Sequence, residues 1–124
     1  MKMILADTTI WVDHFRASND KLRELLDNER IAMHPFIVAE LALGSLKQRR
    51  VQLKALDDLP AVPVAHLDEV RRMVEAHCLY CRGIGLIDAH LIASCLIHPP
   101  TRLWTNDKRL AEIAETLGIA ADIP

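Results

Sequence analysis

Glycine is scarce, with four in 124 residues, and no stretch is of low complexity. That excludes a flexible linker or a disordered chain as the bulk of the molecule. Cysteine is scarce and odd in number, so Cys78, Cys81 and Cys95 do not read as a disulfide framework. "HCLYC" (His77 to Cys81) contains a C-x-x-C pair, but no second Cys or His pair stands at zinc spacing. A thioredoxin-like pair opens a helix after a strand, whereas this one closes a helical stretch. The thiols are expected to be free and buried or half-buried. No run approaches the roughly eighteen apolar residues that a membrane span needs. The opening "MKMILADTTIW" lacks a small-residue cleavage site, so a cytoplasmic chain without a leader is expected.

What is present is apolar and patterned. Half the residues are hydrophobic, 51%, enough for one compact core. Short apolar runs alternate with amphipathic ones, the pattern of a parallel sheet covered on both faces. "KMILAD" reads as a first buried strand, with "TTIWVDHFR" turning out of it. "NDKLRELLDN" reads as a helix capped by Asn19 or Asp20. "RIAMH" gives a second strand, and Pro35 fits the first turn of "PFIVAELALGS", a helix apolar nearly all round and so expected to be buried. "LKQRRVQLKALDDL" is amphipathic, and "AVPVAHL" reads as a third strand near an edge, because Pro63 cannot donate to a ladder. "DEVRRMVEAHCLYCR" is a further amphipathic helix, broken by "GIG". "LIDAHLIASCLIH" is a second apolar helix, "TRLWTND" a strand, "KRLAEIAETLG" a helix ended by Gly118, and "IAADI" a last short strand. The expectation is a single three-layer α/β/α domain over residues 1–124, with a mainly parallel sheet of four to five strands.

Four acids stand out against this frame. "VAELALGS" (Val38 to Ser45) carries Glu40 with no polar neighbour at helical spacing and no Lys or Arg within four residues. A lone buried carboxylate is unfavourable unless something compensates it. Asp88 repeats the pattern in the first turn of an almost wholly apolar helix. Asp7 and Asp107 end strands at the carboxyl edge, where parallel sheets bind their ligands. Helix capping is the alternative reading for both; for Asp7 it is the weaker one, since Thr8 or Thr9 could cap that turn. If both apolar helices point their acids at this edge, four carboxylates converge. Such a cluster raises its own pKa values, and a divalent cation resolves the conflict. All-oxygen ligands select Mg²⁺ or Mn²⁺ over zinc, and metal-held water beside a phosphodiester is the chemistry of hydrolysis. Setting the four aside leaves the 15 Lys and Arg in excess over the remaining acids. Lys47 to Arg50, Arg71, Arg72, Arg82, Arg102, Lys108 and Arg109 are then candidate phosphate contacts for a nucleic acid.

These motifs in this order resemble the PIN-domain ribonucleases, and within them the VapC-type toxins of type II toxin–antitoxin pairs. "ILADTTIWVDHFR" is similar to the opening strand with its first acid, Asp7. "IVAELALGSL" resembles the second motif at Glu40, and "GIGLIDAHLIASCL" the third at Asp88. "RLWTNDKRLAEIAETLGI" resembles the last, with Thr105 and Asp107. Asp13, also in the opening motif, is read as a surface acid able to pair with Arg16. The resemblance implies a PIN-like fold and a Mg²⁺- or Mn²⁺-dependent endoribonuclease. Asp7, Asp88 and Asp107 would hold the metal, and Glu40 would complete its shell or orient the attacking water, with Thr105 behind them. It also implies a homodimer, an RNA substrate and a VapB-type antitoxin that carries the DNA-binding part. An acidic pocket suits a guanidinium as well as a cation, so the antitoxin is expected to insert an Arg or Lys there.

Other readings fare less well. A phospho-acceptor receiver domain needs an Asp ending the third strand and a Lys ending the last, and neither is present. "GIG" completes neither the Rossmann fingerprint nor a P-loop. A catalytically silent PIN-fold binding module remains as the alternative, and the retention of all four acids argues against it.

Overall fold

The computed structural model describes residues 2–123. Three short strands form one parallel sheet in the order β2-β1-β3, with β1 at Ile4–Ala6, β2 at Ile31–Ala32 and β3 at Arg102–Trp104. Register sets Ile4 opposite both Ile31 and Arg102. All three residues of β1 are buried, as expected of a central parallel strand without alternation.

Among the described residues seven helices flank the sheet: α1 Thr8–Ala17, α2 Asp20–Asp27, α3 Pro35–Ala42, α4 Arg49–Asp57, α5 Leu67–Ala76, α6 Leu86–Ile97 and α7 Lys108–Thr116. Asn19 caps α2 by accepting the Leu22 amide at 2.9 Å. Pro35 opens α3, where its missing N–H costs nothing. Helix α6 is buried from Ala89 to Cys95 and runs beside α5 and β3. Leu5, Ile10, Leu22, Ile37, Ile92 and Leu110, all fully buried, mark where helices and sheet meet.

Several expectations are corrected. The sheet has three strands, not four to five. "AVPVAHL" and "IAADI" each contribute one parallel bridge, Ala61 beside Met33 and Ala120 beside Leu103. In the first case a single pair of bonds forms, from Met33 to the Pro60 carbonyl and from Val62 to the Met33 carbonyl, before Pro63 interrupts the ladder. "TTIWVDHFR" is a helix rather than a turn, because Asp7 caps it and its Ile10 and Trp11 enter the core. Helix α3 is not buried all round: Ala39 and Glu40 are exposed, and Leu43 at its end is 84% exposed. Cys78 and Cys81 are exposed, and only Cys95 is buried. Asp13 receives a long hydrogen bond from Asn19, and it forms no ion pair with Arg16 among the described residues.

Candidate active site at the carboxyl edge

Asp7 is the residue at which β1 becomes α1. Its amide donates to the Trp104 carbonyl of β3 at 3.0 Å, which fixes it between two strands. Its side chain, only 3% exposed, caps α1 through the amides of Thr9 at 3.0 Å and Ile10 at 3.4 Å. The Thr9 hydroxyl donates to Oδ1 and the Thr105 hydroxyl to Oδ2, each at 2.5 Å. Burial raises the Asp7 pKa, and these hydrogen bonds, led by Thr105, oppose the rise. The reading that Thr8 or Thr9 replaces Asp7 as cap is therefore corrected: the carboxylate caps the helix, and Thr9 serves the carboxylate.

Thr105 and Thr9 extend this network to the last motif. Asp107 donates its amide to the Thr105 hydroxyl at 3.0 Å, and the Asn106 amide donates to Thr9 Oγ1 at 2.9 Å. Asp107 itself caps α7, with Oδ1 accepting the Arg109 and Leu110 amides at 2.9 and 3.3 Å. Among the described residues its Oδ2 accepts no hydrogen bond, so that oxygen is left for the site.

Asp88 is half-buried in the first turn of α6, where the Gly85 amide donates to it at 3.4 Å. Its pKa is raised, chiefly by burial. The Gly85 N–H opposes the rise, and the negative charges of Asp7, Asp107 and Glu40 add to it. Three segments distant in sequence thus bring their acids within electrostatic reach of the Asp88 carboxyl group.

Glu40 differs from expectation. It is exposed rather than buried, on the outer side of α3. It lines a groove of about 410 Å³ between α1 and the α3–α4 turn, with Thr8, Val12, Phe15 and Arg16 opposite. The acid that looked isolated in sequence is solvated, and the lining of its groove includes none of Asp7, Asp88 and Asp107.

Two buried residues that sequence reasoning passed over lie close by. His34 caps α3, its Nδ1 accepting the Phe36 amide at 3.0 Å. It is fully buried, and its pKa is pushed down to about 4 by burial first and by His90 second. The His34 Nε2 and His90 Nδ1 are both buried without a partner among the described residues, their rings 6.3 Å apart. The available signal was His34 standing immediately before a helix-opening proline. Thr9 was read only as a candidate cap, and its part in holding Asp7 was missed; the signal was the hydroxyl two residues beyond a strand-ending Asp.

The donor set consists of carboxylate and hydroxyl oxygens, which suits a hard cation and not zinc. Among the described residues, no three Asp, Glu, His or Cys side chains converge closely enough to hold one ion directly. Mg²⁺ keeps several of its waters and uses one or two carboxylates, so a looser ring of acids still fits it. The repulsion felt at Asp88 is the kind that such a charge relieves.

A small parallel sheet with helices around it and acids at its carboxyl edge fits the architecture of a PIN domain. The PIN domain family pattern matches residues 4–116, and the chain belongs to that family. Within it, the chain is 45% identical over 118 residues to proteins named Ribonuclease VapC32, from two strains of Mycobacterium tuberculosis (CDC 1551 / Oshkosh and ATCC 25618 / H37Rv), with 95% of each chain covered. It is thus a VapC-type member by relationship.

Proposed function

We propose that this chain is a single-domain, Mg²⁺- or Mn²⁺-dependent endoribonuclease, the toxin of a VapBC-type pair, acting in the cytoplasm. The observation that carries the reading is geometric: Thr105 ties Asp7 to Asp107 at the carboxyl edge, and half-buried Asp88 has its pKa raised by burial first and then by the charges of Asp7, Asp107 and Glu40. The 45% identity to ribonucleases over nearly the whole chain supports a nuclease rather than another use of the fold. Asp7, Asp88 and Asp107, together with Glu40, would hold the ion. Bound there, it would lower the pKa of a water and offset charge building on the phosphate.

The chain's own residues do the positioning. Thr9 and Thr105 hold both oxygens of Asp7, so its orientation is set before any ligand arrives. Thr105 also receives the Asp107 amide and so ties two acids into one unit. Glu40, exposed to solvent, would orient an attacking water or meet the incoming RNA. A VapB-type antitoxin would silence the site by setting an Arg or Lys among these acids, and a homodimer would present two such sites.

The test is cleavage of RNA by purified protein with Mg²⁺ or Mn²⁺, then with EDTA, then with metal restored. Cleavage should follow the metal, and undiminished cleavage in EDTA would sink the metal site. The separation of the acids favours one other reading, a silent binding module. It would predict RNA binding without metal-dependent scission.

A further inference from the structure

The strands that end among acids begin among cations. Lys2 precedes β1, Arg30 precedes β2 and Arg102 opens β3, and the parallel register gathers all three at the amino edge of the sheet. Lys21 of α2 joins them around a cavity of about 250 Å³ with an apolar floor that includes Ile4 and Leu25. Four cations line it against one acid, Asp122, among the described residues. Among the described residues Lys21 pairs with Glu24 at 3.5 Å, while Lys2, Arg30 and Arg102 have no acid within ion-pair distance.

The two guanidinium groups are held in place by carbonyls rather than by acids. Arg30 donates through Nε and Nη2 to the Lys2 carbonyl at 3.2 and 3.1 Å, and Arg102 donates to the Gly118 carbonyl. A carbonyl orients a guanidinium without neutralising it, and a fork of donors remains for an incoming anion. The cavity is smaller than the 300 Å³ or more of a drug-sized site, which matches a phosphate-sized group better than a whole nucleotide.

We propose that this amino-edge cavity is a binding site for a phosphate group, supplied either by a free polyphosphate compound or by an RNA backbone. The five steps from Lys2 to Asp7 span roughly 16 Å at strand rise, so the site is separate from the acidic edge. The proposal goes beyond the nuclease reading and stands or falls independently of it.

The probe is inorganic pyrophosphate, titrated calorimetrically into the purified full chain in EDTA at fixed ionic strength. Without metal, the acidic edge repels it. Saturable binding is expected, weakened about tenfold in the Lys2→Gln/Lys21→Gln double variant through the loss of two nearby charges. That variant leaves both guanidinium–carbonyl contacts intact, and an unchanged melting temperature verifies its fold. Lys54→Gln, in an exposed ion pair on α4, should bind as wild type does. Absence of saturable binding overturns the proposal, as does equal binding by wild type and double variant, or an equal loss in Lys54→Gln. A second arm uses a short single-stranded RNA in the same buffer. Displacement by pyrophosphate and weaker RNA binding by the double variant assign the phosphate to an RNA backbone; RNA binding that pyrophosphate leaves undisturbed assigns it to a free compound.

Discussion

The two edges of the sheet obey one rule with opposite signs. At the carboxyl edge each strand feeds a helix or turn whose free N–H groups favour anions, and Asp7 and Asp107 accept from such amides, as Asp88 does from the Gly85 amide ahead of α6. At the amino edge the chain arrives from helix ends whose free carbonyls favour cations. Arg30 follows α2, and Arg102 reaches back to the carbonyl beyond α7. The difference lies in solvation. Asp7 is almost fully buried and Asp88 half-buried, whereas Lys2 is exposed and Lys21, Arg30 and Arg102 are partly so. Desolvation makes the acidic edge a place where charge is held at a cost, which a bound cation would relieve. The basic edge stays in contact with water and needs no such relief.

The sharpest way to break this contrast is to neutralise its most buried acid. Asp7→Asn keeps the cap and the shape but removes the charge that Thr9 and Thr105 orient. RNA cleavage should fall on the order of a thousandfold. Lys54→Gln, far from either edge, should cleave as wild type does. Retained cleavage in Asp7→Asn, measured from new RNA ends, would remove the acidic edge from the chemistry.

Next in size is an effect of pH, because the carboxyl edge also buries a base. The folded-state pKa of His34, about 4, lies below the ordinary 6.5. Its stabilising contribution is therefore present above pH 6.5 and is lost as pH falls through about 4, by up to about 3 kcal/mol. Asp7 and Asp88 work the other way. Their folded pKa values lie above 3.8, so their contribution is present below that value and is lost as pH rises through the raised pKa. In metal-free buffer, melting of His34→Asn, which retains a capping acceptor, should fall less than wild type between pH 6.5 and 4. Parallel melting curves for the two proteins would show that the fold does not exclude the His34 proton.

The positions of three acids at helix starts were more legible in the sequence than the sheet was, for a physical reason. A strand ending in Asp ahead of a helix is a local signal, so Asp7 and Asp107 could be read directly. So could the first-turn position of Asp88. Whether "AVPVAHL" pairs over one residue or five depends on a partner about thirty positions away and on Pro63, and periodicity reports neither. Glu40 was misjudged because an all-apolar helix has no polar face to reveal which side meets water. The approach of His34 to His90 spans 56 positions and joins two helices that each look self-sufficient.

A smaller effect sharpens the acidic edge itself. Mg²⁺ bound only by the folded chain should raise its melting point, by about 2.7 kcal/mol of stability at a hundred times the dissociation constant. Asp88→Asn should melt above wild type without metal near neutral pH, since it removes one of the repelling charges. It should then gain much less from Mg²⁺. Equal Mg²⁺ responses, followed by calorimetry, would place Asp88 outside the ion's reach.

The smallest effect separates two roles that coincide in one side chain. Asp107 caps α7 through Oδ1, while its charge adds to the raised pKa of Asp88. Asn and Asp are about equally good caps, and Ala is a poor one that costs about 1 kcal/mol. Asp107→Ala should therefore melt lower than wild type, whereas Asp107→Asn should stay close to it or rise slightly as repulsion at Asp88 relaxes. Both variants lose the charge, so both should show the same reduced stabilisation by Mg²⁺. A titration of melting temperature against Mg²⁺ at constant ionic strength keeps general screening out of the comparison. If Asp107→Asn responds to Mg²⁺ as fully as wild type, Asp107 is only a helix cap, and the acidic edge reduces to Asp7, Asp88 and the exposed Glu40.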